Sequence, residues 1–292
     1  MPELPDVAVY VERAGERLVG QVLKHLRLLS PFVLRTAVPP IAEAEGRRVT
    51  GVERLGKRIV LALEGERWLV IHLMIAGRLR WLAPGHKPPG RISLAAFEFD
   101  TGTLVLTEAG SKRRAALHCL GSREALAALD AGGIDVLAAD TAAFAARLRL
   151  ENHTLKRALT DPHLFSGIGN AYSDEILHRA RLSPVALTRA LPDADIERLH
   201  AATREVLAEW TARLRAESPA WPEKVSAFHP QMAVHGRFGQ PCPVCGAPVQ
   251  RIVHADNESN YCARCQTGGK LLADRALSRL LKASWPKSID EL

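Results

Sequence analysis

The chain has 292 residues, long enough for two domains of ordinary size and one small additional module. Lysine and arginine (39) outnumber aspartate and glutamate (32), and the resulting net charge of +7 favours a polyanionic partner. Hydrophobic residues make up 47% of the chain, yet none of their runs reaches about 18 residues, and the first residues contain no apolar signal core. We therefore expect no membrane-spanning helix and no secretory leader.

The first part of the chain predicts one helix followed by strands. Apolar residues recur on one helical face between residues 7 and 18, namely Val7, Val11, Ala14 and Leu18. Two pairs of apolar runs follow, 59–63 with 68–73 and 97–99 with 104–106, and a short turn sequence separates the members of each pair. The pattern predicts a leading helix and a mostly antiparallel β-domain over residues 1–120.

Helical patterns dominate the following segment. Residues 121–150 are rich in alanine and leucine and contain Gly132-Gly133, so we assign them to a linker. A helical domain is predicted over 151–234. Its longest helix follows Pro192, takes Asp193 as a capping candidate and ends before Pro219. The apolar stripe of this helix comprises Ile196, Leu199, Val206, Leu207, Trp210 and Leu214.

Four of the five cysteines form two Cys-x-x-Cys pairs, Cys242 with Cys245 and Cys262 with Cys265. The chain between the pairs is long enough for a hairpin that returns the second pair to the first. This spacing is typical of one structural Zn²⁺ held by four thiolates, and we predict a zinc ribbon over 235–268. The alternatives are two disulfides or four buried apolar thiols. Because a thiolate site requires reduced cysteines, we expect the protein in the cytoplasm or nucleoid.

The segment after the ribbon and the fifth cysteine are each assigned a structural role. Apolar residues after the ribbon, namely Leu271, Leu272, Leu277, Leu280 and Leu281, predict a further amphipathic helix within an extension over 269–292. The remaining cysteine, Cys119, lies far from the others in sequence and is predicted to be a small core residue.

The amino terminus could carry chemistry. A small second residue permits removal of Met1, which leaves Pro2 with a free secondary amine beside the Glu3 carboxylate. Attack of such an amine on a sugar aldehyde carbon gives an iminium, an electron sink that favours elimination of the attached phosphates. A terminal amine with a pKa of about 7.7 to 8.0 is partly neutral at cellular pH. Proline at this position is also common in proteins where it has no catalytic role.

Three further positions are candidates for phosphate binding. Lys57 lies in a glycine turn at the start of a strand, where it could hold a phosphate or simply be solvated. His72 lies within an apolar run and could equally be a core histidine. The Gly-Ile-Gly-Asn turn at 167–170 precedes a helix that carries Asp174 and Glu175. Exposed amides at such a helix start bind phosphate, although glycine turns often only make tight corners.

Taken together, these segments resemble the formamidopyrimidine-DNA glycosylase and endonuclease VIII family. The matching segments follow the family order over nearly the whole chain: residues 1–6, Gly56-Lys57, residues 71–73, residues 167–170, Gly236-Arg237 and residues 261–266. The resemblance implies an α+β fold with an N-terminal β-sandwich, a helix-two-turn-helix domain and a zinc ribbon. It also implies a monomeric DNA repair enzyme that excises a damaged base from double-stranded DNA and cleaves the abasic site by Schiff-base β-elimination.

The resemblance implies roles for individual residues. Pro2 would be the Schiff-base nucleophile, Glu3 the acid that helps to open the sugar, and Lys57 a phosphate or proton-donor contact. Asn170 and the adjacent Gly169 would grip the DNA backbone near the lesion, and His72 would add a further contact. This arrangement suits a reaction in which the damaged base must first leave the duplex stack.

Three departures from the family pattern concern the substrate. Asn257 stands at the ribbon position where the family usually has an arginine, so we expect weaker ribbon binding and a weaker second elimination. Ile75 stands where the family often inserts a methionine and can still act as an apolar wedge. The proline-rich stretch 218–230 differs from the loop that covers an oxidised guanine in some members, so we expect substrates other than 8-oxoguanine.

The loop at 107–114 is the remaining departure. It lacks the aromatic residue with which the oxidised-purine members fill the space left by the extruded base. Lys112, Arg113 and Arg114 could still reach into the duplex, but selectivity for the opposite base need not be kept.

Two alternative functions remain open at this point. One is a glycosylase with weak or no lyase activity, and the other is a protein that binds damaged DNA without chemistry. The joint presence of Pro2, Glu3 and Lys57 favours an enzyme, because a pure binder needs no terminal amine.

Overall fold

A computed structural model describes residues 1–110, 112–254, 258–273, 279–281, 284 and 286–291. The chain divides into two compact units, Met1–Ala131 with Trp210–Ser226, and Gly132–Glu209 with Ala227–Leu292. Within the described residues, none of the helices combines the length and apolar character that a membrane crossing requires.

Helix α1, Leu4–Leu18, opens the first unit. Its inward face is fully buried at Val7, Tyr10, Ala14 and Leu18, as the apolar periodicity predicts. The helix begins earlier than residue 7 because proline is tolerated in the first turn, where backbone N–H groups have no helical partner. The predicted leading helix is confirmed.

Two antiparallel four-stranded sheets follow α1. One sheet has the order β2 (Val49–Leu55), β3 (Arg58–Leu63), β4 (Arg67–His72) and β8 (Ala116–Leu120). The other has the order β1 (His25–Leu28), β6 (Ser93–Phe99), β7 (Gly102–Glu108) and β5 (Gly77–Leu82). Apolar side chains of both sheets and of α1 share one core, in which Cys119 is fully buried. Both predicted hairpins, β3–β4 and β6–β7, are confirmed.

The segment 210–226 packs in the first unit, together with the short helix α2, Arg123–Ala127. Trp221 is buried, donates its indole N–H to the carbonyl of Leu79 at 2.9 Å, and lies against the ring of Tyr10. Arg215 makes two hydrogen bonds of 2.6 and 2.7 Å to the Glu12 carboxylate. These contacts fix the proline-rich stretch that follows the long helix.

Before the ribbon, the second unit contains α3 (Thr141–Leu148), α4 (Leu155–Thr160), α5 (Asn170–Arg179) and the first part of α6 (Asp193–Glu217). Asp140 and Thr154 cap α3 and α4 by accepting backbone N–H groups. The predicted stripe of α6 is buried from Ile196 to Trp210. Asp193 is the first helical residue, and its carboxylate accepts a hydrogen bond from Arg149 at 2.6 Å.

The ribbon contains β9 (Gln250–Val253) and β10 (Glu258–Tyr261), an antiparallel pair, followed by the short helix α7 (Ala263–Thr267). The predicted hairpin between the cysteine pairs is confirmed. Short 3-10 turns elsewhere in the chain are Pro31–Val33, Ile41–Ala44, Gly90–Ile92, Thr188–Ala190 and Ile289–Glu291.

The first residues of the C-terminal extension differ from the amphipathic helix predicted for it. Leu271 and Leu272 are not helical, because the backbone N–H of Leu271 bonds to the carbonyl of Lys287 at 2.9 Å. The backbone N–H of Ile289 likewise donates to the carbonyl of Gly269 at 2.8 Å. Leu271 and Ile289 are buried in the apolar cluster of the ribbon. Among the described residues of the extension, 279–281 are α-helical. Leu277 lies outside the described residues.

Candidate active site and metal centre

The amino terminus of the first unit lies near the charged side chains of Glu3, Asp6, Lys57 and Arg78, and this group of residues is called the terminal pocket. Pro2 and Glu3 are buried, and the terminal amine of Met1 interacts electrostatically with Glu3, Lys57 and Arg78. Burial lowers the pKa of this amine most, the two cations lower it further, and the Glu3 carboxylate opposes them. The structure therefore brings together the predicted catalytic residues at the chain terminus and favours a neutral amine.

Asp6 is a buried acid in this pocket that sequence reasoning missed. Its Oδ2 atom accepts the backbone N–H of Glu3 at 2.9 Å. Burial raises the pKa of Asp6 to about 7, although the bond from Glu3 lowers it. The available signal was its spacing from Glu3, since a side chain three residues beyond the cap position can reach back to the cap N–H.

We expect Asp6→Asn to remove one pH dependence of stability. The pKa of Asp6 is about 7 in the folded state and 3.8 ordinarily, so between these values the folded state binds more protons. The Asp6 contribution to the free energy of unfolding therefore falls as pH rises through this range and is constant above it. Urea unfolding at about pH 4.5 and about pH 8 gives the difference in the free energy of unfolding between variant and wild type. From the lower to the higher pH, this difference should shift by about 2 to 4 kcal/mol in favour of the variant. If variant and wild type differ in free energy of unfolding by the same amount at both pH values, the raised pKa of Asp6 is contradicted.

Lys57 lies in the turn before β3, and His72 is the last residue of the neighbouring strand β4. Lys57 follows Gly56, whose φ of +61° suits a tight hairpin turn, and β3 begins at the next residue. Burial lowers the pKa of Lys57, while the Glu3 carboxylate raises it. Burial, with a smaller effect of Arg58, lowers the pKa of His72 to about 4. At neutral pH His72 is uncharged, so it can donate a hydrogen bond to a phosphate but adds no positive charge.

Ile75 lies on a tight turn between β4 and β5. The N–H of Gly77 donates to the carbonyl of Leu73 at 2.9 Å, and a Cβ atom on Gly77 would lie 2.2 Å from that oxygen. Only glycine fits this approach, and the turn leaves Ile75 55% exposed. Arg78, another residue that sequence reasoning missed, donates to the carbonyls of Ile75, Gly77 and Val225 at 3.2, 2.6 and 2.8 Å.

The loop after β7 presents three cations. Glu108 is almost fully buried and accepts the backbone N–H groups of Arg114 and Ala115 at 2.9 and 3.0 Å. Lys112, Arg113 and Arg114 are exposed. The buried carboxylate therefore holds the base of the loop while the cationic side chains remain on the surface. Glu108 was also missed, because its sequence position at the end of a strand does not reveal burial.

In the second unit, Asn170 is the first residue of α5 and Gly169 is its cap. The carbonyl of Gly169 accepts the Ser173 hydroxyl at 2.6 Å. The side-chain amide of Asn170 donates to the carbonyl of Glu258 in β10 at 2.9 Å. The predicted phosphate turn and the ribbon hairpin are thus in direct contact. Asn257, the other predicted DNA contact in this region, lies outside the described residues.

The four ribbon cysteines form a metal site. Their Sγ atoms all lie within 4.8 Å of one another, with 3.9 Å between Cys242 and Cys265 and 3.4 Å between Cys245 and Cys262. Four thiolates about 2.3 Å from a tetrahedral Zn²⁺ would be about 3.8 Å apart. All four cysteines are free, and these separations exceed the length of a disulfide bond. The donor set fits one structural zinc ion.

Three family models match the chain in order. The formamidopyrimidine-DNA glycosylase N-terminal domain matches residues 1–115, the H2TH domain of the same glycosylase matches 133–216, and the zinc finger found in FPG and IleRS matches 239–268. These segments contain the terminal pocket, the Asn170 turn and the four cysteines, respectively.

Individual relatives agree with the family models. The formamidopyrimidine-DNA glycosylase of Thermus thermophilus is 35% identical over 276 residues, which cover 92% of this chain and 100% of the relative. The crystal structure of the MutM (FPG) protein from the same organism is 33% identical, with a TM-score of 0.76 over 91% of this chain and 98% of that one. Lactococcus lactis Fpg, solved with DNA containing an abasic site, shares the fold with a TM-score of 0.81 at 24% identity, over 91% of this chain and 99% of that one. The chain belongs to the formamidopyrimidine-DNA glycosylase family.

Proposed function

We propose that this protein excises a damaged base from double-stranded DNA and cleaves the resulting abasic site, with the Pro2 amine as nucleophile. The observation that carries the proposal is the terminal pocket, in which Pro2 lies buried beside buried Glu3 and in which burial and two cations lower the pKa of the neighbouring Met1 amine; we propose that the Pro2 amine experiences the same environment once Met1 is removed. A lowered pKa increases the neutral, nucleophilic fraction at neutral pH. A protein that only binds DNA has no use for such an amine.

The reaction starts once Met1 has been removed and Pro2 is the terminal residue. The neutral amine attacks C1′ of the damaged deoxyribose and the bond from C1′ to the base breaks. The proton that the attacking nitrogen loses passes to the departing base, which leaves as the neutral species. Glu3 donates a proton to the ring oxygen, which opens the sugar and gives an iminium between the Pro2 nitrogen and C1′. Because the nitrogen of a secondary amine has no proton to lose at this stage, the iminium stays cationic. Loss of a C2′ proton then expels the 3′ phosphate, which is β-elimination, and water releases the amine.

The remaining site residues are proposed to hold the DNA backbone. Lys57 supplies a charged contact near the terminus, and neutral His72 supplies a hydrogen bond. Asn170 contacts backbone phosphate from the start of α5, where backbone N–H groups also point outward. The exposed cations Lys112, Arg113 and Arg114 add attraction that falls with increasing salt.

We propose that the substrate range extends away from 8-oxoguanine. In place of an aromatic residue, the loop after β7 presents Lys112, Arg113 and Arg114, and the wedge is Ile75. A cationic loop contacts phosphate or base edges without the stacking that an aromatic ring provides. Zinc thiolates and a DNA substrate support action in the cytoplasm or nucleoid.

A panel of duplexes containing uracil, oxidised pyrimidines, oxidised purines or abasic sites tests the proposal. On the best substrate, we expect Glu3→Gln to slow strand cleavage and borohydride trapping by about a hundredfold or more, because Glu3 opens the sugar and positioned proton donors contribute on this scale. Glu16→Gln, at a half-exposed ion pair of α1, is the matched control and should retain wild-type rates. Tight binding of damaged duplexes without base release would instead identify a non-catalytic binder, and base release without strand cleavage a glycosylase with weak lyase activity.

A further inference from the structure

Helix α5 carries two adjacent carboxylates that the proposed reaction does not use. Asp174 and Glu175 are 1% and 5% exposed, respectively. Burial of a carboxylate is unfavourable unless hydrogen bonds or cations compensate for the lost water. The hydrogen bonds and ion pairs of Asp174 and Glu175 must therefore compensate for their burial.

Glu175 holds the chain segment that leads into the ribbon. Its Oε2 atom accepts the backbone N–H of Ala233 at 2.7 Å, and Oε1 accepts those of Val234 and His235, both at 2.9 Å. Three consecutive backbone groups thus depend on one carboxylate. Burial raises the pKa of Glu175, and these three bonds act in the opposite direction.

Asp174 connects the same segment to the start of α5. One carboxylate oxygen lies 2.8 Å from His235 Nδ1, and the other accepts from Lys156 Nζ at 2.5 Å. Lys156 also donates to the backbone carbonyl of Asn170 at 2.7 Å. The first residue of α5 and the segment before the ribbon are therefore linked through a buried ion pair.

The ribbon hairpin closes this set of contacts into a ring. The N–H of Gly236 donates to the side-chain carbonyl of Asn260 in β10 at 2.8 Å. Two residues earlier in β10, the carbonyl of Glu258 accepts the Asn170 amide at 2.9 Å. A side-chain amide has two N–H donors, so this bond fixes the plane of the Asn170 amide and leaves its second donor for another partner.

We infer that Asp174 and Glu175 are positioning residues for DNA binding, which hold Asn170 and the ribbon hairpin in one fixed arrangement. The inference rests on the proposed role of Asn170 as a phosphate contact. The carboxylates act through the ring of hydrogen bonds and do not touch DNA themselves. Their loss would let the Asn170 amide rotate and the hairpin shift relative to it, so that affinity falls while the chemistry at the amino terminus is kept.

Glu175→Gln tests the inference with little change in size. Glutamine offers one acceptor oxygen, and its NH₂ group would face backbone N–H groups that now lack a partner. We expect the Kd for a duplex with a tetrahydrofuran abasic-site analogue to rise about tenfold, as loss of one buried acceptor predicts. The rate of borohydride trapping at saturating abasic DNA should stay near wild type. Glu205→Gln, which removes an exposed carboxylate of α6 paired with Arg179, is the matched control and should leave both values unchanged.

A double-mutant cycle with Asn170→Ala separates this role from general destabilisation. If Glu175 acts through Asn170, the double variant should bind about as weakly as Asn170→Ala alone. Independent, additive losses would overturn the inference, as would wild-type affinity of Glu175→Gln. An Asn170→Ala protein with unchanged affinity would instead refute the proposed phosphate contact. Zinc content is measured throughout, and if Glu175→Gln loses zinc, Asp174→Asn takes its place in the cycle with the same expected and contradicting results.

Discussion

A protein whose amino terminus is blocked is expected to lose base excision and strand cleavage together, by about a thousandfold or more, as for other enzymes deprived of a nucleophile. The Met1 amine lies within the electrostatic influence of Glu3 and Lys57, and Pro2 is the next residue. A blocked Pro2 nitrogen is an amide, and an amide nitrogen cannot form the iminium. A removable peptide fused directly before Pro2 makes the test reversible. Borohydride should trap no adduct on abasic DNA while the peptide is present, and both activities should return after its removal.

Two controls accompany the blocked protein. The same peptide fused to the carboxyl terminus should leave trapping intact, which excludes an effect of the peptide itself. Mass spectrometry of the active protein should show a chain that starts at Pro2. Full activity of a chain that retains Met1 would remove the Pro2 amine from the mechanism.

Removal of zinc should unfold the ribbon and leave the first unit folded. Structural zinc contributes about 10 to 16 kcal/mol of binding free energy in finger peptides, and the ribbon has little other core. Its apolar cluster includes Cys242 and Cys262 themselves, next to Tyr261 and Ile252. The first unit has a separate core built from α1 and both sheets. Hydrogen exchange should therefore accelerate within residues 235–268 after chelation, and affinity for duplex DNA should fall.

Cys262→Ser should reproduce the effect of the chelator. Cys119→Ala is the matched control, because Cys119 is buried in the core of the first unit and belongs to no metal site among the described residues. That variant should keep its zinc and respond to chelation as wild type does. Unchanged DNA affinity in the zinc-free protein would contradict a binding role for the ribbon.

Local sequence patterns predict those elements whose stability is local. The periodicity of α1, the turn between β3 and β4, and the Cys-x-x-Cys pairs each depend on residues close in sequence, and all three appear as expected. The conformation at the start of the C-terminal extension, in contrast, depends on residues far apart in sequence. Leucine spacing around Leu271 suits a helix, but pairing with the backbone near Lys287 decides the conformation.

Two contacts that local sequence patterns do not reveal join residues far apart in the chain. Glu175 acts on backbone groups at 233–235, and Arg78 holds a carbonyl at Val225. Neither contact leaves a periodic signal in the sequence. His72 is an intermediate case, because its pattern allows either a core histidine or a DNA contact. Burial, with smaller effects of Arg58 and Lys57, lowers the pKa of His72 to about 4.

The last described residues of the chain pair with the segment directly after α7. Because Ile289 fills the apolar cluster under the cysteines and Asp290 pairs with Arg264 on α7, the final residues complete the metal module. Trimming the chain at the limit of the family zinc finger, residue 268, would remove Leu271 and Ile289 from this cluster and the Leu272 N–H that bonds to the Tyr261 hydroxyl. A shortened protein of this kind should release its metal to a chelator faster than the full-length chain does.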